Sequence, residues 1–280
     1  MMQGKNKVHQ VLSFIVLITM GLVIMIPFMF MIVASFKESS EIFAYGLNLN
    51  LDFNTITLTN YRALFNNRSG IYWRWFFNSV LITSLTTAFV LLFSSMVGYG
   101  LARYQFNGRN LIFILVLAML MVPRDILLLP LYRLMVQLRL MDTYIGVVLP
   151  GMVPPATVFF FRQFCTGLER DYAEAARIDG CGEARIFWQI YVPLMKPAFG
   201  AMTILTAMNA WNDFLWPLIV LRSTENFTLP AGLMSAMTPY GNNYDLLFAG
   251  SVMSIVPIVI LFLYNQKSFI DGLTIGGVKG

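Results

Sequence analysis

The chain has 280 residues, of which 58% are hydrophobic and only 12% are charged. Because soluble domains carry about 25% charged residues, this composition places the chain in a membrane, with room for about six helical spans of roughly 20 residues. The net charge of +5 comes from scattered basic residues rather than from a basic stripe, so it does not indicate nucleic-acid binding.

Six charge-poor intervals predict an all-α integral membrane protein with six transmembrane helices, because only helices satisfy the backbone of such runs inside the hydrocarbon layer. The first interval follows Lys5 and Lys7 and is too long for the apolar region of a signal peptide, so we expect an uncleaved span. Pro123 with Arg124 and Asp125 predicts a break within the third. The intervals are 11–34, 76–101, 110–131, 143–161, 198–221 and 246–265.

Prolines in the fourth interval predict a kink there, at Pro150, Pro154 and Pro155. Two loops are long. In the loop 37–75, an apolar patch at Tyr61, Leu64 and Phe65 predicts a short surface helix, which is either a docking platform or a lid. The expected organisation is therefore a first helix with an external loop (1–75), a core (76–265) that contains the loop 162–197, and a cytoplasmic tail (266–280).

The distribution of Lys and Arg indicates which side of the membrane each loop occupies. Arg103 and Arg109 lie in one tight turn, whereas the connection 222–245 contains Arg222 alone. Because cytoplasmic loops are enriched in Lys and Arg, this bias favours cytoplasmic N- and C-termini in a multi-pass membrane protein.

The 162–197 loop carries a helix signature between two apolar runs. Glu169, Asp171 and Glu174 come early and Arg177 comes late, an order that complements the helix dipole. Gly180 stands where a glycine ends a helix in a left-handed turn. The small side chains of three alanines predict a slim surface that a partner groove can approach closely. They are Ala173, Ala175 and Ala176.

A second helix is predicted from about Glu183 to Tyr191, with Pro193 as its stop. Its apolar residues recur at helical spacing and should turn one face toward the membrane bundle. On periodicity alone the loop is either a docking element or a solvated helical hairpin. The apolar residues are Ile186, Phe187, Ile190 and Tyr191.

These motifs resemble the signature loop of permease subunits of bacterial ABC importers. Glu174-Ala175-Ala176, three residues, Gly180, nine residues and Ile190-x-x-Pro193 follow that pattern, with Val192 where the family has leucine. Three further segments are similar to the carbohydrate-uptake branch, of the maltose and multiple-sugar type. They are residues 193–198, 211–220 and 272–280.

The resemblance implies a type I importer with four partners for this chain: a second permease, two cytoplasmic ATPases and an external sugar-binding protein. It implies that the loop helix docks in a cleft of the ATPase. ATP and magnesium would then belong to the ATPase, with no cofactor bound by this chain. The residues implied in coupling are Glu174, Ala175, Ala176, Arg177, Asp179, Gly180, Ile190 and Pro193.

A polar stripe in the fifth interval is the candidate translocation path. Asn209, Asn212, Asp213 and Trp216 follow the spacing of one helical face, and amides, a carboxylate and an indole suit a sugar. The alternatives are a hydrogen-bonded clamp between helices or, with Asp213 as an ion site, a small ion-coupled carrier or channel.

Catalytic and metal-binding motifs are missing from the sequence. The run 272–277 continues with Val278 rather than the lysine of a Walker A loop. His9 is the only histidine, which argues against zinc, haem or Ser-His chemistry, and Cys165 and Cys181 form no C-x-x-C pair. We therefore expect a non-enzymatic subunit without a metal.

Overall fold

The computed structural model of the chain describes residues 2–38, 42, 56–66, 70–235, 237–238, 241–242 and 244–277, with the side chains of 2–8, 238, 241–242, 245 and 268–277 left aside. The end of the predicted tail, 278–280, lies outside the described residues, as do 39–41 and 43–55 of the first long loop. The chain divides into two compact units, residues 1–72 with 233–255 and residues 73–232 with 256–280.

The first unit contains α1 (Met2–Ser35) and the short helix α2 (Thr59–Asn66). The Asn60 side-chain amide donates to the carbonyls of Ser35 and Lys37 at 3.1 and 2.8 Å, and the Tyr61 hydroxyl lies 2.7 Å from that of Ser35. Leu64 is buried. The short helix predicted around Tyr61 and Leu64 is thus confirmed, and hydrogen bonds fix it to the end of α1.

The remaining elements are mostly helical. They are α3 (Ile71–Arg103), α4 (Arg109–Leu120), a 3-10 turn (Arg124–Leu127), α5 (Leu128–Gln137), α6 (Tyr144–Val148), a 3-10 turn (Leu149–Gly151), α7 (Pro155–Gly167), α8 (Asp171–Ile178), α9 (Glu183–Ile186), a π-helical turn (Phe187–Tyr191), α10 (Val192–Leu194), α11 (Lys196–Asn212), α12 (Leu215–Val220), a 3-10 turn (Thr224–Asn226), α13 (Leu229–Ser235), the antiparallel strands β1 (Met237–Thr238) and β2 (Gly241–Asn242), and α14 (Tyr244–Gly277).

Three helices in the described part of the chain are long and apolar enough to cross a membrane unaided. They are His9–Ser35, Ile71–Arg103 and Leu246–Lys267. Three bent helix pairs pass the same test, which makes six candidate spans if each pair is one span. The predicted all-α membrane fold is therefore confirmed, and its six spans are reached if each bent pair is counted as one span.

The bent pairs show where the spans are interrupted. The helix axis turns by 100° between Leu120 and Arg124 and by 47° between Gly151 and Pro155, where proline removes a backbone donor. These are the breaks predicted at Pro123 and in the fourth interval. The fifth interval is also broken, because α11 ends at Asn212 and α12 begins at Leu215.

Close helix packing in the second unit depends on a glycine. A Cβ added at Gly98 of α3 would collide with the Cβ of Phe161 and the backbone nitrogen of Arg162, both on α7. Small residues allow membrane helices to approach in this way, because van der Waals contact rather than the hydrophobic effect holds them together. The crossing of α3 and α7 places Phe161 at the base of the 162–197 loop.

Candidate functional site

Helix α8 of the 162–197 loop ends in a left-handed glycine turn. Gly180 has φ of +79°, its N–H donates to the Arg177 carbonyl at 3.0 Å, and the Cys181 N–H donates to the Ala176 carbonyl at 2.9 Å. This pair of bonds is a Schellman motif, which satisfies carbonyls that a helix end otherwise leaves free. Asp171 and Glu174 lie in the first turn and Arg177 in the last, so the predicted helix and its charge order are confirmed.

One face of α8 packs inward, and it is the alanine face. Ala173 and Ala176 are buried in a cluster that includes Phe161 and Cys165 of α7, whereas Ala175 is exposed. The prediction that all three alanines form a slim outer surface is therefore wrong for two of them. Their small size instead brings α8 close to the bundle.

The outer face of α8 combines charge with unpartnered apolar surface. The side chain of Ile178 is 86% exposed and that of Tyr172 is 49% exposed, beside the exposed Glu174, Arg177 and Asp179. Ile178 and Tyr172 together leave apolar surface at the tip of a charged loop. This is the arrangement expected of a surface that another protein covers.

The second helix of the loop buries the face predicted for it. Ile186, Phe187 and Tyr191 are buried, and Ile190 packs beside them. Pro193, however, does not end the helix, which continues through α10 to Leu194. The π-helical turn before it explains the difference: the Val192 N–H donates to the Phe187 carbonyl, five residues back, and the widened turn makes room for a proline ring.

Three polar side chains join the two helices of the loop to the end of α3. The Arg177 guanidinium donates to the Glu183 carboxylate at 2.7 and 3.2 Å, and the Tyr104 hydroxyl donates to the same carboxylate at 2.6 Å. The hydrogen bond to Glu183 raises the pKa of Arg177, and burial followed by the same carboxylate raises the pKa of Tyr104. Both groups therefore stay protonated donors, and the charge of Arg177 is turned toward the loop itself.

Sequence reasoning missed the role of Arg103, the last residue of α3. Its guanidinium donates to the carbonyls of Cys165 and Leu168 at the end of α7, and it lies 5.0 Å from the centre of the Tyr191 ring. Arg103 therefore connects α3, α7 and the π-helical turn. Its position after an apolar run predicted only a loop charge, because these carbonyls come from a part of the sequence 62 to 65 residues away.

The four residues of the candidate translocation path do not share one helical face, so that prediction is wrong. The helix ends at Asn212, whose side-chain amide donates to the Met208 carbonyl at 2.9 Å, and Asn209 is exposed. Asp213 lies in the break and forms an ion pair with Arg124 at 3.2 Å. Trp216 belongs to α12, where it is buried and donates to the Val147 carbonyl at 3.2 Å.

A cavity of about 400 Å³ lies in the second unit between α3, α11 and α14. Thr83 and Thr87, one turn apart on α3, line it, and neither hydroxyl has a hydrogen-bond partner within the described residues. Ser84, Thr203 and Trp211 complete its polar lining. The sequence did not reveal this cavity, because its residues are dispersed over three helices. The described side chains contain no group of three His, Cys, Asp or Glu that could hold a metal ion.

At the other end of α3, a second buried apolar cluster, which includes Ile82, Trp216 and Leu221, holds the connections together with hydrogen bonds. The Asp142 carboxylate accepts from the N–H groups of Arg222 and Ser223 at 2.9 and 3.0 Å and from the Ser223 hydroxyl. Burial alone would raise the pKa of Asp142, but these bonds, with one from Asn226, lower it to about 2. We call Asp142, Arg222, Ser223 and Asn226 the Asp142 network, and its backbone φ of +60° at Asp142 gave no sequence signal.

Comparison with protein families matches residues 91–268 to the binding-protein-dependent transport system inner membrane component family. The chain is 56% identical over 261 residues to the arabinooligosaccharides transport system permease protein AraQ of Bacillus subtilis, covering 93% of this chain and 92% of that one. It is 53% identical to the protein of that name from Halalkalibacterium halodurans, over 99% and 100% of the two chains.

More distant relatives share the whole length of the chain. The lactose transport system permease protein LacG of Rhizobium radiobacter is 30% identical, over 98% of each chain. A solved bacterial ABC transporter, described as involved in the import of the acidic polysaccharide alginate, superposes with a TM-score of 0.81 over 94% of this chain and 97% of that one. Because the identity is 21%, this last match supports a shared fold and nothing further.

The chain therefore belongs to the binding-protein-dependent transport system inner membrane component family. It is a multi-pass membrane permease, and the sequence resemblance to ABC importer permeases is confirmed. Its relatives are transport permeases rather than enzymes. The matched region, 91–268, contains the whole of the 162–197 loop and most of the bundle that packs beneath it.

Proposed function

We propose that this chain is one of two permease subunits of an ATP-driven oligosaccharide importer. In this proposal it works with a second, related permease, two cytoplasmic ATPases and an external sugar-binding protein, and it alternates between inward- and outward-open states. ATP and magnesium bind to the ATPases. Family membership supports the importer architecture, and the geometry of the 162–197 loop supports the way in which force enters it.

The observation that carries the proposal is the outer face of α8. Exposed Tyr172 and Ile178 flank charged residues on α8. Because the Schellman motif already closes the end of this helix, we infer that its outer face binds a partner protein. The buried alanines attach α8 to the cluster that contains Tyr99 of α3 and Tyr191. A displacement of α8 by an ATPase would therefore be transmitted to the membrane helices through packed side chains.

The proposed roles of the coupling residues follow from their positions. Glu174, Ala175, Asp179 and Gly180 form the docking surface together with Ile178. Ala176, Ile190 and Pro193 attach the loop to the bundle, and Arg177 fixes the two loop helices to each other through Glu183.

The proposed substrate is an oligosaccharide of arabinose. Two relatives that exceed 50% identity over more than nine tenths of this chain bear the name of arabinooligosaccharide permeases, whereas the lactose permease is 30% identical. Asn209, Asn212 and Asp213 remain proposed contributors to the path. Trp216, buried against Val147, serves as scaffold in this proposal.

We further propose that both termini are cytoplasmic, which places the 162–197 loop on the side where the ATPases are. The Lys and Arg distribution of the short loops supports this orientation. Cysteines introduced singly at Ile178 and at Arg222 test it, because a membrane-impermeant thiol reagent applied to intact cells should label only the second.

The complete transporter, reconstituted in vesicles with its binding protein, tests the function. We expect uptake of labelled arabinose oligosaccharides to require ATP on the side of the ATPases and to continue when ionophores dissipate the ion gradients. Uptake driven by a proton or sodium gradient without ATP would support the ion-coupled carrier instead. Asp213→Asn should impair uptake less than Asp213→Leu, since the amide still hydrogen bonds Arg124.

A further inference from the structure

Two arginines, Arg109 and Arg162, lie on the adjacent helices α4 and α7. The Arg162 guanidinium carbon lies 3.5 Å from the centre of the Phe113 ring. Phe113 follows Arg109 by four residues on α4, so the two side chains occupy the same face of that helix. Arg162, stacked on Phe113, therefore lies beside Arg109, and the charge of Arg109 acts on it.

Neither arginine is neutralised by the part of the chain that the structure describes. The ion pairs found there are Arg124 with Asp213 and Arg177 with Glu183. The buried Nε of Arg162 has no hydrogen-bond partner among these residues. The Nε of Arg109 donates to the Leu101 carbonyl at 2.8 Å. Two like charges at half-buried positions, with donors that no described residue accepts, favour the binding of an anion.

The surroundings of the pair are those of a membrane interface. Arg109 is the first residue of α4, and Leu111, Ile114 and Leu115, which follow it on the helix, are exposed apolar side chains. In a protein of this family such a surface contacts lipid tails. The anion beside it is therefore one that sits at the edge of the hydrocarbon layer.

We propose that Arg109 and Arg162 bind the phosphate of an anionic phospholipid, with its acyl chains along the apolar surface of α4. The planar donors of two arginines match the oxygens of a phosphate, and the Phe113 ring holds one guanidinium in place from its face. Arg103 differs from the pair because one of its terminal nitrogens already donates to the carbonyls of Cys165 and Leu168, and in this proposal it positions α7.

The site has a consequence for the 162–197 loop. Arg162 directly follows Phe161, which packs in the cluster that holds Ala173 and Ala176 of α8. A bound phosphate that joins α4 to α7 would stabilise the base on which α8 rests. Lipid composition would then affect coupling as well as stability.

Native mass spectrometry of the purified transporter, released from nanodiscs that contain phosphatidylglycerol and phosphatidylcholine, tests the proposal. We expect phosphatidylglycerol to be retained and phosphatidylcholine to be lost. The double variant Arg109→Gln/Arg162→Gln should bind phosphatidylglycerol about 30-fold more weakly, which is the factor for two basic residues at a membrane surface. Arg133→Gln, at an exposed arginine of α5, is the matched control and should bind normally.

A second variant keeps the test decisive if the glutamine pair does not fold. Arg109→Lys/Arg162→Lys retains both charges but not the planar donors, so its binding should fall between the other two. Unchanged retention in either double variant, or an equal loss in Arg133→Gln, would overturn the site. Displacement by millimolar inorganic phosphate would overturn the lipid in favour of a small anion. Normal lipid binding with loss of the ATPase from the double variant would assign the arginines to a protein partner.

Discussion

Both ends of α3 pack against buried apolar clusters, but they differ in the hydrogen bonds that hold the segments beside them. From Trp75 to Arg103 the helix extends about 40 Å, at 1.5 Å per residue. Near Arg103, aromatic and aliphatic side chains such as Tyr99, Phe187 and Tyr191 are buried together, and the polar groups cover this cluster from outside. Near Trp75, side chains donate directly to backbone carbonyls of the 222–229 connection.

The bonds at the Trp75 end are numerous and short. The Trp75 indole donates to the Thr224 carbonyl at 2.7 Å, and the Asn78 amide donates to the carbonyls of Glu225 and Phe227 at 2.8 and 3.0 Å. The Tyr144 hydroxyl donates to Asn78 at 2.8 Å. Directional bonds of this kind hold an irregular connection in one conformation, in addition to the apolar packing of Ile82, Leu221 and Phe227.

This contrast between the two ends of α3 indicates which segment a partner protein could displace. Helix α8 presents exposed apolar surface and is attached through small alanines to a packed cluster, so a partner can grip it and displace it. The Asp142 network instead fixes its connection through directional hydrogen bonds. Five predictions test this contrast, in order of decreasing effect.

The largest effect is expected for Gly180→Asp, which should abolish ATP-driven uptake while the protein still reaches the membrane. No heavy atom lies within 4 Å of a Cβ built at Gly180, so the damage comes from the positive φ and from a charge on the docking surface rather than from a clash. Gly180→Asn tolerates the left-handed conformation without the charge, and it should retain partial uptake. Wild-type transport by Gly180→Asp would contradict the assignment of α8.

Next comes Gly98→Leu, which should force α3 and α7 apart and destabilise the packed end by about 3 kcal/mol. Thermal unfolding in detergent measures the change. Gly100→Ala is the matched control, because a Cβ at Gly100 meets nothing within 4 Å. Equal stability of Gly98→Leu and the wild type would show that this end is not held by close packing.

A smaller and more local effect is expected for Asp142→Asn. Asparagine tolerates the positive φ of Asp142 but removes the charge from its hydrogen bonds, at a cost of about 2 kcal/mol. Hydrogen exchange of the Arg222 and Ser223 amides should accelerate. Exchange should remain slow in the 162–197 loop of the same variant.

The Asp142 network also has a pH dependence of predictable sign. Because the folded pKa of Asp142 is about 2, below its ordinary value of 3.8, the carboxylate contributes stability above about pH 4. That contribution should fade as the pH drops toward 2, and the asparagine variant should show no such local loss.

The smallest effect is expected for Arg177→Gln. Both members of the Arg177–Glu183 pair are nearly half exposed, so solvent screening limits its contribution to at most about 1 kcal/mol. The temperature of thermal unfolding should fall slightly. Arg185→Gln, at another exposed arginine of the loop, should lower this temperature no more than Arg177→Gln does. A large loss of stability in Arg177→Gln would mean that the loop depends on its ion pair more than on its buried face.

Local signals predicted the 162–197 loop well. A glycine at a helix end and acids before bases along the helix depend only on neighbours in sequence, and both are observed in α8. The face of the second helix was predicted for the same reason. Pro193 was misjudged, because the π-helical turn that accommodates it arises from the packing of Phe187 and Tyr191.

Predictions that required an unbroken helix failed. Spacing alone placed Asn209, Asn212, Asp213 and Trp216 on one face, but the helix breaks after Asn212, where Asp213 meets Arg124 from 89 residues earlier. Such a pairing leaves no periodic trace in the sequence. The same holds for the cavity beside Thr83 and Thr87 and for the Asp142 network.

Hydropathy and helix-end chemistry act over a few neighbouring residues. The sequence alone therefore predicted the membrane environment of the protein, the helical character of its spans and the helix that ends at Gly180. Only the tertiary structure showed which alanines of α8 face the bundle, where the spans break and which arginines have no ion-pair partner among the described residues. Each of these depends on side chains that are distant in sequence, and only the packed helices bring them within reach of one another.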